Sequence, residues 1–248
     1  MRFDTFEGRL NQPVVRIFVD GEEPFIAGHG LGGFVGFDPR EILLTGALLP
    51  IEPPRRVALY RCSCGESGCG CVASVIRREG ETITWSDPRD YVGVFSSPLY
   101  DGTITSEGKP YDFGDLVFDA TQYLAEVERA TNDRSWETTA LLIARLLTAH
   151  LEAARTELVD EGYHLSWVAP WWEDDRQFRV AFIGPVGQLV VALTSSAATP
   201  EEQATEMARG LLTNSPDAWQ VTDRHRWPPD VVARAIELAQ QRAARRRT

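Results

Sequence analysis

The four cysteines of this 248-residue chain are its clearest candidates for chemistry, because they lie within one short segment. They are Cys62, Cys64, Cys69 and Cys71. Residues 65–68 are polar and bounded by glycines, as in a hairpin loop, and the apolar runs on either side are typical of strands. This hairpin is expected to pair Cys64 with Cys69 and Cys62 with Cys71, so that all four sulfurs share one face. Four thiolates can bind one zinc ion tetrahedrally, and the pattern therefore predicts a structural Zn2+ site.

Three other interpretations of the cysteines are open. Facing cysteines could form two cross-strand disulfides. The first residues of the chain lack the basic and apolar regions of a secretory signal, so we expect a cytosolic location, where disulfides are rare. Redox-active thiols usually occur as Cys-x-x-Cys at the start of a helix, whereas the spacing here is Cys-x-Cys. Ordinary buried cysteines would not be expected to cluster so closely.

A histidine is an alternative fourth ligand for the metal. The Cys-x-Cys spacing is tighter than the Cys-x-x-Cys pairs that are usual at structural zinc sites, so one ligand could come from elsewhere in the chain. The imidazole candidates are His29, His150, His164 and His225.

The cysteine segment also resembles that of a known family. The run Cys-x-Cys-Gly-x-x-Gly-Cys at Cys62–Cys69, followed by Ile83–Asp87 and Leu116–Tyr123, is similar to a family of uncharacterised bacterial proteins. The similarity covers residues 55–125. In that family the first three cysteines are regular, whereas another residue often stands at the position of Cys71. The resemblance therefore implies that Cys71 is a dispensable ligand, and it implies no activity, substrate or cofactor.

The elements that position the cysteines are predicted to belong to an α+β fold. Residues 56–86 are expected to form an antiparallel β-meander that contains the cysteine hairpin. A helix begins near Ala120, and the polar residues Thr131–Arg134 end it. We therefore expect a β-rich domain at 1–131 and an α+β domain at 132–248, with one continuous domain as the alternative.

The second half has the pattern of a helix, a three-stranded sheet and two helices, in which helices cover one face of the sheet. Ser135 is expected to begin a long helix that ends near Asp160. The three strands are expected at Tyr163–Val168, Phe178–Ile183 and Leu189–Leu193. Thr199 and Glu202 have the spacing of a capping box for the next helix, and Pro228–Asp230 precedes the last one.

Composition and motifs argue against several classes of function. With 43% hydrophobic and 25% charged residues, the chain resembles a globular protein. Its net charge of −11 argues against a nucleic-acid partner, because phosphate backbones are bound by basic surfaces. No apolar run approaches the ~20 residues that span a bilayer, so no membrane partner is expected. The Gly-x-Gly-x-x-Gly run within Gly28–Gly33 does not join a strand directly to a helix, as a dinucleotide site requires.

Two functions from different classes are compatible with these features. Trp171 and Trp172 are adjacent on a turn, and aromatic side chains often anchor interfaces, although both would also fit the edge of a sheet. Together with the acidic composition, they predict an interaction protein of the immunity, inhibitor or adaptor type that binds a basic protein and contains structural zinc. The alternative is a metal-dependent or redox enzyme that uses the cysteines, with its site under the long loop at 88–115. No residue is assigned a catalytic role.

Overall fold

The structure is a computed structural model in which the chain forms a mixed α and β fold with antiparallel sheets, in agreement with the predicted α+β class. It describes residues 1–8, 12–24, 33–65, 67–100, 104, 106–110, 113–171, 173–194 and 199–245, with the backbone alone at 175 and 241–245. The chain divides into two compact units, Met1–Trp136 and Glu137–Thr248. The boundary that we predict at 131/132 lies close to this division.

The first unit contains the strands that carry the cysteines. Its strands are β1 (Arg2–Glu7), β2 (Pro13–Phe18), β3 (Phe34–Gly36), β4 (Arg55–Cys62), β5 (Cys71–Glu79), β6 (Thr82–Tyr91), β7 (Lys109–Pro110) and β8 (Leu116–Asp119), and its helices are α1 (Pro39–Ile42) and α2 (Ala120–Asn132). β1 pairs with β2 as a separate hairpin. β3 to β7 lie side by side in one antiparallel sheet, and β8 pairs with β6. The cysteine segment joins β4 to β5, which are neighbours in this sheet.

The strand that leads into the cysteines is deeply buried. Every residue of Val57–Tyr60 has 0% of its surface exposed. Because side chains alternate between the two faces of a strand, both faces of β4 are covered at this point. Burial on both faces explains why the sequence there is an unbroken apolar run rather than an alternating one.

Tyr123 of α2 links this helix to the sheet. Its hydroxyl accepts a hydrogen bond from the indole N–H of Trp85 at 3.1 Å and donates one to the carbonyl of Leu48 at 2.7 Å. The rings of Trp85, Phe118 and Tyr123 pack with centroids 5.3 to 6.1 Å apart. These aromatic residues come from the two later segments of the family resemblance, and they have a structural role in the core.

β6 continues past the predicted start of the long loop, because a β-bulge accommodates Pro88. Asp87 and Pro88 lie opposite a single residue of β5. Asp87 has a φ of 49°, and its carboxylate accepts hydrogen bonds from the guanidinium groups of Arg56 and Arg89. Pro88 is tolerated within the strand because a bulge does not require its missing N–H. Of the predicted loop at 88–115, residues 101–103, 105 and 111–112 lie outside the described residues.

The second unit combines helices with one antiparallel sheet. Its elements are α3 (Thr139–Ala153), α4 (Arg155–Asp160), β9 (His164–Trp171), β10 (Asp174–Gly184), β11 (Gly187–Thr194), α5 (Pro200–Thr213), β12 (Val221–Arg226) and α6 (Pro229–Arg245). In the described residues the strands lie in the order β12-β11-β10-β9. Phe178, Val180 and Phe182 alternate along β10 and are buried in one apolar cluster with Leu147 and Leu151 of α3.

The sequence predicts one long helix from Ser135 to Asp160, and the predicted bounds are wrong. It begins after Thr138, whose hydroxyl caps the helix by accepting the N–H of Leu141 at 3.3 Å. It is interrupted at Ala154, which has a ψ of 25° and so leaves the α-helical range. The chain therefore forms two helices, α3 and α4, where one is predicted.

β12 is a strand beyond the three predicted for this sheet. It pairs with β11, and it lies in the chain between α5 and α6. After Val221, which is half-buried, all its residues are exposed, from Thr222 to Arg226. A strand without a buried face has no alternation of apolar and polar residues, so the pattern that reveals other strands is missing here.

The last two helices follow their sequence signals. The capping box of α5 is confirmed: the N–H of Glu202 donates to the hydroxyl of Thr199 at 3.4 Å, and the N–H of Thr199 donates to the carboxylate of Glu202 at 3.1 Å. α6 begins at Pro229, within the predicted proline-containing start. In the part of the chain that the structure describes, no helix is long and apolar enough to cross a membrane.

We expect Tyr123→Phe to lower the stability of the first unit by about 1 to 3 kcal/mol, because it removes two buried hydrogen bonds and leaves the carbonyl of Leu48 without this donor. Hydrogen exchange of the β6 amides in increasing urea would measure the change. Val117→Ala is the control, since Val117 is 63% exposed and its truncation should cost less than about 0.5 kcal/mol. Equal protection in the two variants would contradict the role of Tyr123.

Candidate metal centre

Three of the four cysteines lie together at the end of β4 and in the loop that follows it. The sulfur atoms of Cys62, Cys64 and Cys69 all lie within 4.8 Å of one another. None of them forms a disulfide. Cys62 is partly exposed, and the other two are exposed. This three-cysteine cluster could hold a metal ion, as the sequence predicts for these three residues.

In the cysteine loop, residues 62–70, the described backbone forms two tight turns, at 62–65 and at 67–70. In the first turn, the N–H of Gly65 donates to the carbonyl of Cys62 at 2.9 Å, and Gly65 has a φ of 95° that side chains disfavour. In the second turn, the N–H of Gly70 donates to the carbonyl of Ser67 at 3.2 Å. The N–H of Cys62 donates to the carbonyl of Gly70 at 2.8 Å and so joins the two turns. This arrangement brings the two other cysteines of the cluster beside Cys62.

Neighbouring strands hold the loop from two sides. The N–H of Ser63 donates to the carbonyl of Gly33, just before β3, at 2.6 Å. The N–H of Gly93, just after β6, donates to the carbonyl of Gly68 at 2.8 Å. The loop is therefore fixed to the sheet by its backbone, which positions the three thiols of the cluster.

Hydrogen bonds within the cluster give the thiols of Cys62 and Cys69 different pKa values. The backbone N–H of Cys64 donates to the sulfur of Cys62 and, with further bonds from the thiols of Cys64 and Cys69, lowers the pKa of Cys62. Hydrogen bonds to Cys62 and Cys64 raise the pKa of the Cys69 thiol to about 11. Cys62 is thus the first of these two thiols to ionise. A metal ion favours the deprotonated thiols, because thiolate is the form that binds it.

Cys71 lies outside the cluster, and the predicted pairing of Cys62 with Cys71 is wrong. Cys71 pairs with Arg61, so it faces the side of the sheet opposite to Cys62. Its side chain is 0% exposed. Burial, together with the negative charge of Asp90, raises the pKa of the Cys71 thiol to about 12. A buried, protonated thiol on the other face does not contribute to the three-cysteine cluster.

The structure describes three of the four histidine candidates for a fourth ligand. His150, His164 and His225 belong to the second unit, where the imidazole of His150 lies 3.3 Å from the hydroxyl of Thr205 and that of His225 lies 2.9 Å from the carboxylate of Asp223. Burial, with the charge of Arg155, lowers the pKa of His164. His29 and the glycines Gly28, Gly30 and Gly32 lie outside the described residues. Among the described residues, the potential metal ligands that the structure brings together are thus all cysteines.

The predicted partner-binding tryptophans are described only in part. Trp172 lies outside the described residues. Trp171 ends β9 and is half-buried; the guanidinium of Arg179 lies 4.4 Å from its ring centroid, and its N–H donates to the carboxylate of Glu173 at 3.2 Å. Trp167, 38% exposed, lies on the same strand and is not among the residues predicted from the sequence to bind a partner. Trp167 and Trp171 are four residues apart and therefore lie on the same face of β9. This spacing is the signal that would have identified Trp167.

We expect iodoacetamide to label Cys71 about 100-fold more slowly than Cys64 at pH 8 in the folded, metal-free protein. The thiolate is the nucleophile, and a thiol whose pKa is raised to about 12 stays protonated at that pH. Mass spectrometry of the cysteine peptides over time would measure both rates. In urea all four cysteines should react alike, and similar rates for Cys71 and Cys64 in the folded protein would contradict the buried position of Cys71.

Comparison with known proteins assigns no function to this site. No protein-family model, curated protein or solved structure matches the chain. The resemblance of residues 55–125 to a bacterial family therefore stays a prediction, and the function is inferred from the geometry of the cysteine cluster.

Proposed function

We propose that this protein is a cytosolic zinc-containing interaction protein in which the metal ion stabilises the cysteine loop. The observation that carries the proposal is the gathering of three thiols, those of Cys62, Cys64 and Cys69, within 4.8 Å of one another. Zinc accepts thiolate ligands in tetrahedral geometry, and three thiolates supply most of such a site. Four unbridged cysteines are also compatible with a reducing compartment.

A structural role for the metal is supported by the composition of the cluster. Among the described residues, the group of potential ligands contains cysteines and no histidine or carboxylate. Zinc hydrolases use a zinc-bound water together with a nearby general base, and in the described part of the chain no histidine or carboxylate belongs to the cluster. Cys71 is not required in this proposal, which replaces the four-cysteine site expected from the sequence with a three-cysteine site and one further ligand.

The interaction part of the proposal is supported by the tryptophans of β9. Trp167 and Trp171 lie on the same face of this strand, because they are four residues apart. The strand lies at an edge of its sheet. The contacts of Trp171 with Arg179 and Glu173 fix its ring, so less side-chain entropy would be lost on binding. The net charge of −11 favours a basic protein as the partner, through electrostatic steering.

A metal-dependent or redox enzyme is the second candidate. One observation favours it: three protein ligands leave a fourth position for water or substrate, and the thiols of Cys64 and Cys69 are exposed. Cobalt-substituted protein would distinguish the two candidates. A visible spectrum that shifts when a small anion or thiol is added indicates an open position and favours the enzyme, whereas an unchanged spectrum favours the structural site.

We expect the purified protein to bind one zinc ion per chain, and each of Cys62→Ser, Cys64→Ser and Cys69→Ser to lose it during dialysis against a weak chelator. Metal analysis by mass spectrometry would measure the occupancy. Cys71→Ser is the matched control and should retain the metal, because Cys71 lies on the other face of the sheet. His29→Gln tests whether this histidine is the remaining ligand.

Two results would contradict the metal site. The first is a wild-type protein, purified without chelator, that contains neither zinc nor iron. The second is full occupancy in a Cys62→Ser/Cys64→Ser double variant, which would place the metal elsewhere.

We expect a Trp167→Ala/Trp171→Ala double variant to dissociate from the partner about 10-fold faster or more, because large aromatic side chains contribute much of the binding energy at interfaces. Added salt should instead slow association, since it screens electrostatic steering. Binding kinetics at low and high ionic strength would separate these effects for a basic protein captured from the host. Val186→Ala is the control, as Val186 is 65% exposed in the same unit. Association and dissociation rates that change neither with added salt nor with the loss of the two tryptophans would contradict this partner surface.

A further inference from the structure

The exposed thiols of the cysteine cluster have the arrangement of a pair that can be oxidised. Cys64 and Cys69 are both exposed, and their sulfur atoms lie within 4.8 Å of each other. A disulfide needs these sulfurs to approach to about 2 Å, which rotation about the side-chain bonds can provide when the backbone already brings the cysteines together. The chain between them contains Gly65 and Gly68, which place few steric limits on such an adjustment.

The other cysteines are less suited to this reaction. Cys62 is partly buried, and a bridge from Cys62 to Cys64 would close a ring across a single residue within the tight turn that ends at Gly65. Cys71 is fully buried on the opposite face of the sheet. A reagent in solution therefore has access first to Cys64 and Cys69.

We propose that Cys64 and Cys69 form a modification site, where a low-molecular-weight disulfide of the glutathione class oxidises them to an intramolecular disulfide and thereby releases the bound metal. The release of metal rests on the proposed function, whereas the formation of the disulfide does not. The structure thus assigns to the cysteine cluster a response to the thiol redox state.

The reaction is an ordinary thiol–disulfide exchange in two steps. One exposed cysteine, as thiolate, attacks the reagent disulfide; a mixed disulfide forms, and one reagent thiol leaves. The second cysteine then attacks the protein sulfur of the mixed disulfide, and the second reagent thiol leaves. The two protein thiols give up two electrons and two protons, and the reagent disulfide is reduced to two thiols.

Oxidation and metal binding use the same sulfur atoms. A disulfide sulfur is no longer a thiolate ligand, so the oxidised cluster retains only Cys62. One thiolate does not hold a zinc ion against competing ligands. Each disulfide formed should therefore release one metal ion.

The test combines disulfide mapping with metal release in the full chain. Protein treated with a chelator is equilibrated with oxidised glutathione, its remaining thiols are alkylated, and a glutamate-specific protease cleaves after Glu66. This cleavage separates Cys62 and Cys64 from Cys69 and Cys71. We expect a disulfide that holds the two fragments together, located between Cys64 and Cys69 by tandem mass spectrometry.

The variants decide the assignment. The disulfide should persist in Cys62→Ser and in Cys71→Ser, and it should be lost in Cys64→Ser and in Cys69→Ser. A bridge that involves Cys71, a bridge confined to the fragment with Cys62, or stable glutathionylation without a bridge would overturn the proposal. Unfolding of the variants does not explain these results, because Cys62→Ser is expected to lose the metal and keep the disulfide.

Metal release is measured separately on zinc-loaded protein with a chromogenic chelator. We expect zinc to appear at the same rate as the disulfide, one ion per disulfide, and to be retained in samples kept with reduced glutathione. Disulfide formation in a chain that never binds zinc would refute the proposed function and keep the modification site. Zinc that stays bound in the presence of oxidised glutathione, with no disulfide formed, would refute the modification site and keep the proposed function.

Discussion

The register of β4 against β5 determines which thiols of this protein can act together. Cys71 pairs with Arg61, and a β-bulge between Ala58 and Tyr60 shifts the pairing of the two strands. Side chains alternate with a period of two residues, so a shift of one residue moves a side chain to the opposite face. The shift separates Cys71 from Cys62 and reduces a group of four cysteines in sequence to a cluster of three in space.

The cluster also depends on the stiffness of the sheet that carries it. Val57–Tyr60 is buried on both faces, and Tyr123 ties α2 to the strand beside β5 through Trp85. The backbone hydrogen bonds of Ser63 and Gly68 then connect the cysteine loop to residues beside β3 and β6. A site built on such elements keeps its geometry better than one on a free loop.

Sequence reasoning succeeded where the signal was local. The spacing of Cys62, Cys64 and Cys69 around a glycine-bounded turn indicates their proximity, and the pair Thr199 and Glu202 marks a helix start within four residues of chain.

It failed where the outcome depends on packing between distant segments. The bulge that accepts Pro88, the register that removes Cys71 from the cluster and the exposed strand β12 have no counterpart in composition or periodicity. In the functions proposed above, metal binding and oxidation compete for the same sulfur atoms: oxidation consumes Cys64 and Cys69, two of the three proposed zinc ligands, so whichever state is stabilised lowers the population of the other. The proximity of the thiols favours both reactions. The balance between them is then set by the metal and thiol concentrations around the protein rather than by a change in its fold.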